Sequence, residues 1–441
     1  MAEIERILNE FNAWVWGPWT LIALCGTHVF LTFRLGFIQR YLFKAIKLSF
    51  SRNKEGEGDV SHFGSLTTAL AATIGTGNIV GVGTAIVAGG PGAVFWMWLT
   101  GFFGIATKYS EALLSVKYRV KTPDGKMAGG PMYVLERGMN CKWLGIAFAV
   151  FTAIAAFGIG NMVQANSVAT LMKQTFAIPQ WATGIVITIL TGAVILGGIQ
   201  AIARTCEKLV PFMAVFNILG CLILFFLQFD TIPETLVLIV QSAFTGQAAV
   251  GGFLGAGMKE AMRFGIVRGL FSNESGMGSA AIVASAAQTK NPVRQALVSS
   301  TGTFWDTVIM CALTGIVFVN SGAWTQGLDG AGLAKAAFDG IPGVGPIVLT
   351  VSLLTFVIAT ILGWSYYGEK ACEYLWGSKT IGAYRILWVI AVMVGSVLTL
   401  PIVWSLADIA NAFMAIPNLI SLWALHHVII SETKAHINNI E

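Results

Sequence analysis

Ala72-Thr73-Ile74-Gly75-Thr76-Gly77-Asn78 interrupts one apolar run of this chain, residues 66–88. Phe271-Ser272-Asn273-Glu274-Ser275-Gly276-Met277-Gly278 interrupts another, residues 253–287. Each patch sets glycine and polar side chains between flanks suited to hydrocarbon. Glycine in a helix interior costs roughly 0.5–1 kcal/mol relative to alanine. Inside a bilayer, broken backbone is tolerated only where protein or a water-filled cavity surrounds it. The glycines alone also fit close helix packing, because Gly77-x-x-x-Gly81 has the small-xxx-small spacing. The run Ser272 to Ser275 does not, because packing asks for no carboxylate there. A charge at the bilayer centre costs ~2.5–3.5 kcal/mol on insertion scales and usually marks a pathway or an ion site. The two patches together predict two broken helices that share one polar site.

The rest of the chain agrees with a membrane setting. Its 441 residues are 55% hydrophobic and only 11% charged, where a soluble chain carries about 25% charged residues. The mean hydropathy is +0.73, and the apolar excess runs the whole length, so the outer surface faces lipid. A net charge of +5 spread over short breaks between apolar runs gives no clustered basic face for nucleic acid. Cys25, Cys141, Cys206, Cys221, Cys311 and Cys372 form no C-x-x-C pair and read as small buried hydrophobes. The acidic N-terminus and the long first apolar run argue against a cleaved signal peptide.

At ~20 apolar residues per crossing, eleven spans are expected: 13–33, 66–88, 93–116, 144–172, 181–199, 209–229, 253–287, 297–320, 345–367, 381–400 and 402–428. Loop charges test that count. Arg34, Arg40, Lys44, Lys47, Arg52 and Lys54 fall on one side with Lys117, Arg119, Lys121, Lys126, Arg137 and Lys142. Arg204, Lys208, Lys290, Arg294, Lys370, Lys379 and Arg385 join them, while Asp230, Glu234, Asp329 and Asp339 lie opposite with Lys173 and Lys335. The basic side is cytoplasmic by the positive-inside rule, which puts the N-terminus outside and the C-terminus inside. Lys259, Arg263 and Arg268 run against the rule. Without the first span, five spans fall in 62–229 and five in 246–428. The halves are then inverted, and each opens with an interrupted span, the pattern that points to a transporter site at the bilayer midplane. The expected organisation is an extra helix and basic loop (1–61), two five-helix halves and a cytoplasmic tail (429–441).

Unwinding at Gly75 to Gly77 frees amide N–H groups on one side and carbonyls on the other. The first hold a carboxylate and the second replace a cation's water shell, so a zwitterion and Na⁺ bind side by side. Other residues within spans need partners. Gln164 either caps a substrate or bonds a neighbouring helix. Asp306 is an ion ligand or a partner for Arg268, and Arg268 pairs with Glu274 or Asp306 or snorkels to the interface. Lys108 and Glu111, three apart, predict a mutual ion pair, and Thr360 shares a helix face with Trp364.

The stretch Gly89-Gly90-Pro91-Gly92-Ala93-Val94-Phe95-Trp96-Met97-Trp98-Leu99-Thr100-Gly101-Phe102-Phe103-Gly104 resembles the signature of the alanine/glycine:cation symporter family. Arg268-Gly269-Leu270-Phe271-Ser272-Asn273-Glu274-Ser275-Gly276-Met277-Gly278-Ser279-Ala280 resembles its second hallmark, and the resemblance covers essentially the whole chain. It implies an all-α, LeuT-like fold of five plus five inverted helices with one extra N-terminal helix, and Na⁺-coupled uptake of alanine or glycine across a prokaryotic plasma membrane. It implies no organic cofactor and a small substrate pocket closed by Phe271, Met277 and Trp364. The related neurotransmitter:sodium symporters share a G-x-G-N patch. Laid on Gly75-Thr76-Gly77-Asn78, that pattern implies a substrate carboxylate on the backbone of Gly75, Thr76 and Gly77. It implies one Na⁺ on the backbone of Ala71 and Ile74 with the Thr360 hydroxyl, and a second near Thr73, Asn78, Ser272 and Asp306. Gln164, Asn273, Glu274 and Gly276 complete the substrate candidates. Glu274 has no counterpart in those relatives, which leaves the number of cations open.

The expected function is therefore Na⁺:amino-acid symport by alternating access, with H⁺ coupling through Glu274 or Asp306 as the alternative. A passive channel would show no uphill accumulation. A membrane enzyme would want H-E-x-x-H or G-x-S-x-G, and neither occurs. Nothing in the sequence fixes the oligomeric state or the preferred amino acid.

Overall fold

The computed structural model describes residues 2–51, 56–245, 257–398 and 401–439. The expected start of the second interrupted run at Phe253, the boundary at 246, Arg52, Lys54 and the end of a span at Leu400 lie outside the described residues. Helix dominates, and a two-stranded antiparallel ribbon, β1 (Val120–Lys121) and β2 (Met127–Ala128), is the one sheet among the described residues.

The chain opens with α1 (Ala2–Val15) and α2 (Pro18–Arg34), bent where Trp16-Gly17-Pro18 breaks the hydrogen-bond ladder, and continues through the short α3 (Leu42–Ser49). The first interrupted run becomes α4 (His62–Thr73) and α5 (Val80–Gly89). Ser61 caps α4 by accepting from Gly64 N–H at 2.8 Å. After α6 (Gly92–Lys117) come α7 (Lys142–Phe157), α8 (Val163–Phe176), α9 (Gln180–Ile195), α10 (Gly198–Leu227) and α11 (Ile232–Thr245). The second interrupted run becomes α12 (Met258–Asn273) and α13 (Ser279–Ala284). Then follow α14 (Pro292–Thr303), α15 (Ala312–Asn320), α16 (Gly330–Phe338), α17 (Gly345–Trp376), α18 (Ile381–Val397), α19 (Pro401–Ala424) and α20 (His426–His436). Three π-helical segments widen the rods at Val134–Gly138, Gly158–Met162 and Phe304–Cys311. The last two fuse α7 with α8 and α14 with α15.

Seven helical stretches among the described residues are long and apolar enough to cross a membrane. The two broken helices fall outside that group because their pieces are short, and α6 because its polar residues lower its hydropathy. Large apolar side chains cover the outside: Trp19, Phe43, Ile189 and Phe226 are each more than half exposed. The protein is a multi-pass membrane protein.

The long α6 organises the interior, lying against α12, α13 and α14. Its glycines permit that approach. A Cβ on Gly101 would meet Thr307 Cγ2 at 2.7 Å, and one on Gly104 would meet Ser275 Oγ at 2.9 Å. The helix α11 was not anticipated in the sequence. It has 14 residues, too short for a crossing, and it packs on α6 where Trp96 Nε1 donates to Ala243 O at 3.1 Å.

Candidate functional site

Regular helix ends at Thr73 and resumes at Val80, as the glycines predict. Asn78 holds the break. Its Oδ1 accepts from Gly75 N–H at 3.0 Å, taking the donor that an unbroken helix would give to the Ala71 carbonyl. The N–H groups of Thr76 and Gly77 make no hydrogen bond among the described residues. Both residues are partly exposed, whereas Asn78 is fully buried. Thr76 lines a cavity of about 450 Å³ that runs between α5, α8, α16 and α17, with Asp329 and Lys335 at its mouth.

Behind the carbonyl end stands α17. Thr360 Oγ1 lies 3.4 Å from Ile74 O, and a Cβ on Gly75 would sit 2.6 Å from the same hydroxyl. Gln164 joins it from α8, just past the wide turn Gly158–Met162. Its Nε2 donates to Ile159 O at 3.0 Å, while its buried Oε1 has no donor among the described residues. Gln164 Oε1 and Thr360 Oγ1 thus stand beside Gly75, with the Ile74 carbonyl opposite the Thr360 hydroxyl.

A second cluster links the two broken helices. Asp306, wholly buried, accepts at Oδ1 from Asn78 Nδ2 (2.7 Å) and at Oδ2 from Ser272 Oγ (2.9 Å) and Thr307 Oγ1 (2.6 Å). Cys311 Sγ approaches Asn78 Nδ2 and Ser272 Oγ at 3.3 Å each. Thr307 was not singled out in the sequence, and Cys311 was read only as a small buried hydrophobe; both lie on the π segment that carries Asp306. Thr73 does not join the cluster, since its hydroxyl bonds back to the Ala69 and Leu70 carbonyls. Phe271 and Ser272 pass Gly77 at ordinary contact distance.

The second break differs from the first in that side chains of α6 already fill its ends. Glu274 adopts φ 55°, and Gly276 and Gly278 have φ 92° and 80°, a left-handed stretch that glycine tolerates without strain. Lys108 Nζ donates to Asn273 O at 2.7 Å, at the carbonyl end of α12. Glu111 Oε1 accepts from Gly276 N (2.8 Å), Gly278 N (3.1 Å) and Asn418 Nδ2 (2.7 Å), at the amide end of α13. The expected Lys108–Glu111 ion pair is therefore corrected: each charge caps the helix-end dipole of opposite sign across the interface. Gly276 turns away from the first break, toward Leu24 of α2, and Asn418 Nδ2 donates to its carbonyl at 2.8 Å. Met277 is fully buried, and Asn273 Nδ2 donates to Thr307 Oγ1 at 3.2 Å. Glu274 accepts from the Ser279 hydroxyl, and Trp364, packed on Gly160, points its indole at Glu274. Arg268 pairs with neither Glu274 nor Asp306. The opposite charge that acts on it is Asp408 of α19, though the two make no ion pair within 4.0 Å among the described residues, and its guanidinium lies 5.9 Å from the Phe271 ring centroid. The interruption turns the chain after Asn273, so side chains before and after it no longer share a face.

One end of this region is open through the cavity at Thr76, and the other is sealed. Val60 pairs in parallel with Ala287, Asp59 N and Val60 N donate to Ala286 O at 2.7 and 3.1 Å, and Gln288 N donates to Val60 O at 2.8 Å. Arg119, half-buried, clamps the seam. Its Nη1 donates to Ser285 O (2.9 Å) and Ala287 O (2.7 Å), and its Nη2 to Glu57 O (2.9 Å) and Thr289 O (2.7 Å).

A family model described as the sodium:alanine symporter family matches residues 1–441. The sodium/alanine symporter AgcS of Methanococcus maripaludis is 51% identical over 444 residues, which cover 98% of this chain and 97% of that protein. An uncharacterized transporter of Haemophilus influenzae is 50% identical over 443 residues, covering 99% and 97%. The probable sodium/glutamine symporter GlnT of Bacillus subtilis is 34% identical over 436 residues, covering 98% and 90%. Among solved structures, MhsT in complex with L-phenylalanine superposes with a TM-score of 0.60 at 16% identity, covering 84% of this chain and 89% of that one. That likeness is one of fold, the LeuT-like fold. The chain belongs to the sodium:alanine symporter family.

Proposed function

We propose that this family member couples alanine uptake to Na⁺ at its first broken helix, and that the described state is the outward-facing one. Na⁺-coupled alanine symport follows from the family; the residue roles are our reading. The observation that carries them is the pair of unbonded amides at Thr76, which lines the cavity, and Gly77 beside it, a few residues from the Ile74 carbonyl opposite Thr360. Those amides, left free in the break that precedes α5, suit the substrate carboxylate. The carbonyls of Ala71 and Ile74, the Thr360 hydroxyl and Gln164 Oε1 suit Na⁺, a hard cation that takes oxygen ligands. A carboxylate beside a cation explains why each binds better with the other. Asp306, held by Asn78, Ser272 and Thr307, is the candidate for a second cation. Phe271, Glu274 and Trp364 border the substrate from the second break, and Asn273, Gly276 and Met277 act behind them.

Alternating access then means opening the Arg119 seam after the cavity at Thr76 closes. The loop charges put Asp329 and Lys335 outside and Arg119 inside, with the N-terminus outside and the C-terminus in the cytoplasm of a prokaryotic cell. In that reading 62–229 and 246–428 are the two inverted halves. Glycine, the other small substrate, fits the same backbone contacts. Equilibrium binding of glycine, L-alanine, D-alanine and leucine, each with and without Na⁺, tests the proposal. Na⁺ is expected to raise the affinity for alanine, and leucine is expected to bind weakly. Alanine affinity indifferent to Na⁺ would remove the coupling.

A further inference from the structure

We propose that the membrane face formed by α7, the end of α17 and α18 is a binding site for one aminophospholipid, headgroup in a polar recess and one acyl chain in the adjoining crevice. The recess holds about 650 Å³ and is lined by Tyr133, Glu136, Arg137, Lys142, Glu373 and Tyr374. Its charges are only partly satisfied from within. Glu136 accepts from Tyr374 Oη at 2.7 Å and has Lys142 Nζ 3.9 Å away. Arg137 is exposed and makes no ion pair among the described residues. Glu373 is 6% exposed; its Oε2 accepts from Lys370 Nζ at 2.6 Å, while its Oε1 has no donor among the described residues. A buried carboxylate oxygen without a donor is costly unless something supplies a proton to share. A cation without a partner and an acceptor without a donor in one recess match a headgroup with both a phosphate and an N–H-bearing ammonium.

Beside the recess lies a crevice of about 600 Å³ with almost wholly apolar walls, among them Ile154, Phe157, Met162, Leu387 and Leu406. Trp376 lines both spaces, so the two adjoin at its side chain. Trp143 and Trp376, 70% and 65% exposed, mark the level of the membrane interface. From Ile146 to Phe157 the helix rises roughly 16 Å, about one leaflet of a hydrocarbon core ~30 Å thick. The crevice lining includes Gly158 and Met162, the two ends of the wide turn that leads to Gln164. A bound acyl chain therefore touches the segment that positions a residue of the transport site.

The test is native mass spectrometry of the full-length protein released from nanodiscs of phosphatidylethanolamine, phosphatidylcholine or phosphatidylglycerol. One phosphatidylethanolamine per chain should be retained at least about tenfold better than the other two. Choline offers no N–H to Glu373 Oε1, and glycerol offers no ammonium. Arg137→Ala should lower retention about tenfold through the phosphate. Ala383→Trp, which fills the crevice from an exposed position on α18, should lower it comparably with thermal stability unchanged. Equal retention of the three lipids, a preference for phosphatidylglycerol, or wild-type retention in both variants would overturn the proposal.

Discussion

Replacing Arg119 with alanine should unlatch the sealed end. Its guanidinium donates four hydrogen bonds to carbonyls on two segments, Glu57 on one and Ser285, Ala287 and Thr289 on the other. Hydrogen bonds from a charged donor contribute about 1.5–3 kcal/mol each, but they are not additive, and water competes at a half-buried site. A net loss of about 3 kcal/mol corresponds to a shift of roughly 100-fold in the ratio of sealed to open forms. The main-chain bonds of Asp59, Val60 and Gln288 remain, so the seam should open without the protein unfolding. The assay is the rate at which a cysteine at Ala286 (Ala286→Cys), buried in the seam, reacts with a membrane-impermeant maleimide applied from the cytoplasmic side. Arg119→Ala should accelerate labelling by up to about 100-fold, and saturating Na⁺ should partly reverse the gain. Arg119→Lys should fall between, because one ammonium cannot fork across four carbonyls. Labelling rates within about twofold of the parent in both variants would refute the latch, since a 3 kcal/mol loss cannot stay hidden at that resolution.

Three further outcomes are expected. Asn78→Ala removes the cap on Gly75 N–H and the bond to Asp306, and should raise the alanine concentration for half-maximal binding about tenfold or more, read by calorimetry. Thr360→Val keeps the shape but loses the hydroxyl opposite Ile74 O; the Na⁺ concentration for half-maximal alanine binding should rise about five- to tenfold, with alanine affinity at saturating Na⁺ little changed. Lys108→Met strips the cap from the end of α12 and should lower stability in detergent by roughly 3 kcal/mol. The double variant Lys108→Met/Glu111→Gln should lose less than the sum of the two single losses, because both charges act on one break.

Both interruptions were legible because glycine and polar letters inside an apolar run have few structural uses. Asp306 was legible for the same reason, as an acid in hydrocarbon. The partners of Lys108, Glu111 and Arg119 were not. Apart from the Asn418 amide on Glu111, those partners are main-chain carbonyls and amides, which no letter announces. Spacing of three along one helix suggested that Lys108 and Glu111 pair with each other, yet the free helix ends beside them bind both more strongly. Arg268 shows a related limit. Distance along the chain put Glu274 within its reach, but the turn after Asn273 carries Glu274 onto another face, and the opposite charge that acts on Arg268 is Asp408. The helix α11 escaped notice because its 14 residues satisfy neither the length of a crossing nor the polarity of a loop.

The wide turns at Gly158–Met162 and Phe304–Cys311 have a mechanical consequence. Each holds one residue more than an α-helical turn would accept. If that surplus slid along the rod, the residues it passed would swing by about 100° around the axis and advance about 1.5 Å. Asp306 lies inside one surplus turn and Gln164 just beyond the other. These two rods can therefore re-aim an acid and an amide in discrete clicks, like a ratchet, without breaking the helix.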